Sequence, residues 1–226
     1  MKIGILQTGY APEDMRETLG DYPTLFARLL DGNGFTFETY PVVDGIFPEG
    51  PDACDGWLVT GSRHGAYEDH PWIPPLEAFI RAIRDAGKPL VGVCFGHQII
   101  AQALGGKVEK FPGGWSVGSN VYETEDGLAI LNAWHQDQVT ELPPGARVVA
   151  SSPFCANAAL AYGDQIYTVQ AHPEFTSAAI ASLLGSRAKG VVPDPLIAAA
   201  TAKLETPTTA QAEAARMTAL FKGKSQ

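Results

Sequence analysis

The sequence predicts an α/β domain on a mostly parallel sheet, and three observations lead there. Short apolar runs alternate with stretches of helical periodicity through the N-terminal half, the pattern left when crossover helices cover both faces of a parallel sheet. At 226 residues, 45% hydrophobic and 18% charged, the chain can bury one sizeable core. No Gly/Ser-rich or Pro-rich linker separates two hydrophobic patterns. One domain over 1–226 is therefore expected, with about 186–226 as a helical C-terminal extension of it.

The apolar runs at 2–7, 35–40, 56–60 and 89–94 read as strands. Between the first two, Asp21 can cap a helix that starts near Pro23 and carries Leu25, Phe26, Leu29 and Leu30 on one face. Gly32 and Gly34 end it. Pro74-Pro75 opens a second helix, with Leu76, Phe79, Ile80 and Ile83 as its apolar stripe and Gly87 as its stop. A third helix begins just after Cys94. From 107 to about 169 closely spaced extended segments follow, at 119–124, 129–134, 147–151, 158–162 and 165–170, which suggests hairpins added to the sheet. Tyr162-Gly163-Asp164-Gln165 supplies a tight turn for one antiparallel pair. The Ala-rich, Pro-interrupted tail suggests two surface helices.

A formal net charge of −9 gives no basic footprint for nucleic acid or an anionic membrane surface. No apolar stretch approaches the roughly 20 residues that span a bilayer, and the N-terminus lacks a signal-peptide pattern. A soluble, cytoplasmic protein is expected. The three cysteines, Cys54, Cys94 and Cys155, form no Cys-x-x-Cys pair and no disulfide framework. His64, Glu68, Asp69 and His70 crowd one segment, but their spacing fits neither His-Glu-x-x-His nor a Cys/His zinc pattern. No metal and no cofactor are expected.

Gly92-Val93-Cys94-Phe95-Gly96 runs from a buried-type strand straight into a helix pattern. Glycines two residues either side of Cys94 clear the space where the chain reverses, as in a Gly-x-Ser-x-Gly elbow with sulfur in place of oxygen. A thiol so placed stands at the C-terminal edge of the sheet, next to a helix N-terminus that favours its thiolate. The pattern alone serves equally for a buried strand cysteine followed by a helix. Gln170-Ala171-His172-Pro173-Glu174-Phe175 adds a histidine and a carboxylate at another strand end. By itself that segment reads as a turn with a helix-initiating carboxylate. With Cys94 it makes a nucleophile, a base in His172 and an orienting carboxylate in Glu174.

At these residues the sequence resembles the class I glutamine amidotransferases, especially free-standing chains similar to the glutaminase domain of GMP synthase. Four segments carry the resemblance in order: Leu58-Val59-Thr60-Gly61-Ser62, Gly92 to Gln98, Trp134-His135-Gln136-Asp137-Gln138-Val139 and His172-Pro173-Glu174. It implies a flavodoxin-like three-layer sandwich and a Cys94, His172, Glu174 triad that opens a γ-glutamyl amide through a thioester. It further implies an oxyanion hole from the backbone amides of Gly61 and Phe95, with Gln98, His135 and Asp137 near the substrate. His97 reads as a structural residue at the helix start. Ser116 stands where many members carry a glutamate. The substrate implied is small, glutamine or another γ-glutamyl compound. No synthetase domain and no phosphate-binding loop with a lysine follow the glutaminase-like region. A separate synthetase partner and the oligomeric state are left open.

Overall fold

The computed structural model describes residues 1–223. Five strands form the parallel part of a nine-stranded sheet: β1 (Lys2–Leu6), β2 (Thr36–Tyr40), β3 (Gly56–Val59), β4 (Leu90–Val93) and β11 (Ile166–Val169). Their order is β2-β1-β3-β4-β11, every neighbouring pair parallel. The sheet continues antiparallel through β10 (Ala159–Tyr162), β9 (Arg147–Ser151), β6 (Ser116–Thr124) and β7 (Gly127–His135). The fold class is the expected one, and the hairpins do extend the sheet. Gly163, at φ 56°, makes the turn between β10 and β11. A separate two-stranded ribbon, β5 (Lys107–Lys110) with β8 (Asp137–Glu141), had no strand pattern of its own in the sequence.

Side chains of the parallel strands alternate between two cores, as a period of two requires. Ile3, Ile5, Leu58, Val91 and Val93 face one side, where α2 (Tyr22–Leu29) contributes Phe26 and α7 (Ala210–Phe221) contributes Met217 and Phe221. Leu6, Trp57, Val59 and Leu90 face the other, against Leu76, Ile80 and Ile83 of α3 (Ile73–Asp85) and Ile99 and Ile100 of α4 (Phe95–Ala103). The last helix thus differs from a surface helix. Ala214, Met217, Leu220 and Phe221 line up on one face of α7 and are buried, and Phe221 packs edge-on against Phe35 at 5.7 Å. A third cluster joins α1 (Glu13–Leu19), α2 and α5 (Ser177–Ser186) through Met15, Leu25, Phe175 and Ile180. α6 (Asp194–Ala202) crosses beside β6. Among the described residues no helix is long and apolar enough to cross a membrane.

α4 lies unusually close to the sheet, and glycine is the reason. A Cβ built on Gly96 would sit 2.2 Å from the carbonyl oxygen of Val59, a backbone atom that cannot rotate away. Gly→Ala in a helix ordinarily gains about 1 kcal/mol from propensity. Here the overlap costs about 1–3 kcal/mol or more, so Gly96→Ala is expected to destabilise the protein, and Gly96→Val further. Denaturant unfolding measures the sign. A stabilised Gly96→Ala protein would mean that α4 does not approach β3 this tightly.

Candidate functional site

β3, β4 and β11 end side by side, and the residues that follow them converge on one cleft. Cys94 follows β4 at φ 53° and ψ −104°, the one non-glycine residue with positive φ among those described. Such a conformation costs about 1–3 kcal/mol and persists only where the surroundings enforce it. Two backbone bonds do so: the Cys94 N–H donates to Val169 at 2.9 Å, and its carbonyl accepts from the N–H of Gln98 at 3.1 Å. Phe95 is the first helical residue of α4, so its N–H has no partner within the helix. Cys94 as a residue is 6% exposed.

His172 follows β11 and is pinned by its N–H, which donates to Asn132 at 2.7 Å. Its Nδ1 lies 2.6 Å from Oε1 of Glu174, and its ring stacks flat on Phe175 at 4.0 Å. Asn132 holds this turn again from its side chain, donating to the Phe175 carbonyl at 2.8 Å. Both members of the pair are buried. Burial disfavours the imidazolium, but the charges of Glu174 and Cys94 outweigh it and push the His172 pKa up to about 10. A Cβ on Gly61 would lie 2.9 Å from the His172 ring and 3.7 Å from Cys94 Cβ. Only glycine lets the backbone after β3 come so close to both groups.

Cys94, His172, Gln98, His135 and Asp137 share the lining of one cavity of about 460 Å³. Gln98 Nε2 is engaged inside the protein, donating to the Asp137 carbonyl at 2.9 Å and to Gln170 Oε1 at 3.1 Å. His135 Nδ1 is 3.2 Å from the Asp137 carbonyl, while its Nε2 is buried with no hydrogen-bond partner among the described residues. Burial raises the Asp137 carboxyl pKa. Ser116 pairs with His135 across β6 and β7 and is not among the cavity-lining residues. The extended segment expected at 119–124 is the latter part of β6, and Trp115, just before that strand, lines the cavity.

Gln170 is a site residue that sequence reasoning missed. It is fully buried, and its Nε2 lies 3.7 Å from Cys94 Sγ, where it can donate to a thiolate. Its one signal was a polar residue closing the apolar run of β11. Cys54 and Cys155 are buried and do not line the cavity, and burial raises both thiol pKa values, that of Cys155 to about 12. His64, Glu68 and His70 do meet in space, although their spacing matched no metal template.

His97 is wholly buried outside the cavity lining, 2.8 Å from Thr168 Oγ1. Burial lowers its pKa to about 3 and that of His135 to about 4. Above about pH 6.5 each is neutral whether folded or not. Below it the unfolded chain takes up a proton that the native state refuses, so each costs about 1.4 kcal/mol of stability per pH unit until its folded pKa is reached. The expected result is a stability that falls from pH 6.5 towards pH 4, with a shallower slope in His97→Gln. Unfolding titrations across that window check it.

The profile of the class I glutamine amidotransferases matches residues 52–184. Gamma-glutamyl peptidase 4 of Arabidopsis thaliana is 34% identical over 180 residues, 72% of this chain and 71% of that protein. A GMP synthase of Burkholderia vietnamiensis is 36% identical over 141 residues, 53% of this chain but 24% of that protein. Among solved structures, a glutamine amidotransferase of Methylobacillus flagellatus superposes with a TM-score of 0.77 at 22% identity, over all of this chain and 95% of that one. The profile match and the level of identity together place this chain in the class I glutamine amidotransferase family.

Proposed function

We propose that this chain hydrolyses the γ-glutamyl amide bond of small γ-glutamyl peptides, with Cys94 as nucleophile, His172 as general base and acid, and Glu174 as the orienting carboxylate. The observation that carries this reading is the Cys94 backbone, held at positive φ at the head of α4 beside Gly61 and a buried His172–Glu174 pair. That geometry spends stability to present a thiol, which a buried structural cysteine has no reason to do.

In the first half-reaction His172 takes the Sγ proton, and the thiolate attacks the γ-carbonyl carbon. The oxyanion points at the N–H groups of Gly61 and Phe95. Collapse breaks the C–N bond as the imidazolium hands its proton to the leaving amine. A γ-glutamyl thioester remains. Water then attacks it with His172 as base, the C–S bond breaks, and glutamate leaves as the thiol is restored. Glu174 holds the ring tautomer and balances the imidazolium charge, in keeping with the raised His172 pKa. Gln170 Nε2 supports the thiolate between steps.

The relatives support peptides over glutamine as substrate: the gamma-glutamyl peptidases match over 71–77% of this chain, the GMP synthases over 53%. A second reading, a glutaminase that supplies ammonia to a separate synthetase, rests on that shorter match. Steady-state glutamate release separates them. The isolated protein is expected to turn over members of a γ-glutamyl dipeptide panel, with Cys94→Ala as the blank. No turnover across the panel, together with activation of glutamine hydrolysis by a co-purifying subunit, would favour the second reading.

A further inference from the structure

The loop between β3 and α3 gathers three donor atoms that the γ-glutamyl chemistry does not use. His64 Nδ1 lies 3.3 Å and His70 Nε2 lies 2.7 Å from the same oxygen of Glu68, and the three atoms are all within 4.8 Å of one another. The loop holds them there with its own bonds: His64 N–H donates to Ser62 Oγ at 3.2 Å, Glu68 N–H to Gly65 at 3.1 Å, and His70 N–H to Glu68 at 3.0 Å. Buried Trp72 forms the wall behind. His70 stacks on it at 5.8 Å and 12°, and His64 meets it edge-on at 5.9 Å.

We propose that His64 Nδ1, Glu68 Oε2 and His70 Nε2 form a binding site for a divalent transition cation of the zinc class on the rim of the cleft. Two imidazoles and a carboxylate are a donor set that zinc accepts, and it leaves a fourth position open. Tetrahedral bonds of about 2.0–2.1 Å put neighbouring ligand atoms about 3.3 Å apart, a spacing that His64 and Glu68 already have. Coordination uses the ring nitrogen of each histidine that faces Glu68, with the ring proton carried on the other nitrogen. His64 and Glu68 also line the cavity above Cys94, and Trp72 packs on Phe95, the residue after the thiol, at 5.6 Å. An ion here occupies the entrance to the cleft, touching neither Cys94 nor His172. This site stands apart from the hydrolase reading and survives its failure.

The test is calorimetric titration of Zn²⁺ into the full-length Cys94→Ala protein, which removes the competing thiol. One equivalent is expected to bind, at least about tenfold more weakly in His70→Ala and in Glu68→Gln, since the loss of even an outer-shell partner of a metal ligand costs about that much. Co²⁺ is expected to give visible ligand-field bands of a four- or five-coordinate nitrogen and oxygen site, lost in His64→Ala. His70→Gln, with circular dichroism matching the parent, separates lost ligation from lost folding. Absence of saturable Zn²⁺ binding, or an affinity unmoved by these substitutions, would overturn the site.

Discussion

Cys94→Ala is expected to lower kcat/KM by about 10⁴-fold or more while leaving the folded structure in place, because it removes the proposed attacking atom and little else. The backbone allows a sharper form of the same experiment. Alanine keeps the Cβ and therefore the strain at φ 53°, whereas glycine releases it. That release, about 1–3 kcal/mol, outweighs the extra freedom glycine gives the unfolded chain, about 0.5–1 kcal/mol. Cys94→Gly is thus expected to be as inactive as Cys94→Ala and the more stable of the two. Paired unfolding curves and rates test both halves. Equal stabilities would mean that the elbow stores no strain, and turnover in either variant would remove Cys94 from the mechanism.

His172→Ala is expected to match the loss seen in Cys94→Ala, with Glu174→Gln about a hundredfold milder, since in the proposed mechanism the carboxylate acts only through the ring. Stability should follow a different order. The Glu174 side chain is fully buried and its charge faces His172 at 2.6 Å. Deleting the imidazole strands that charge, at a cost of about 3–5 kcal/mol. The double variant His172→Ala/Glu174→Gln is then expected to be more stable than His172→Ala alone. An inactive Glu174→Gln beside an active His172→Ala would reverse the roles of base and orienter. A double variant no more stable than the single would mean that Glu174 is not the stranded charge.

The parts of this arrangement that were legible in the sequence are those carried by local pattern. Glycines around Cys94 announced the elbow, and a Cβ on Gly92 would sit 2.6 Å from the Gly96 carbonyl oxygen across that turn. Asp21 was readable as the cap of α2, and its Oδ1 accepts from the N–H of Tyr22 at 2.9 Å. What stayed hidden depends on chain brought from afar. Gln170 matters because β11 lies next to β4, a pairing no local pattern states. The β5 strand, Lys-Val-Glu-Lys, carries one apolar residue, too few for a strand signal. In α7 the abundance of alanine masked the stripe of Ala214, Met217, Leu220 and Phe221 that covers the sheet. The His64, Glu68 and His70 donors converge because a loop folds back, whereas metal templates assume helical or hairpin spacing.

The proposed hydrolysis passes through a covalent γ-glutamyl thioester on Cys94, and acid quenching during turnover tests that step most directly. Wild-type protein mixed with a turned-over γ-glutamyl peptide, quenched within the first turnovers and digested, is expected to carry the γ-glutamyl group on the peptide that contains Cys94. The group should be sensitive to hydroxylamine, as a thioester is, and absent from Cys54 and Cys155. Glutamate release at an undiminished rate from Cys94→Ala, or a γ-glutamyl group trapped on another residue, would contradict the account.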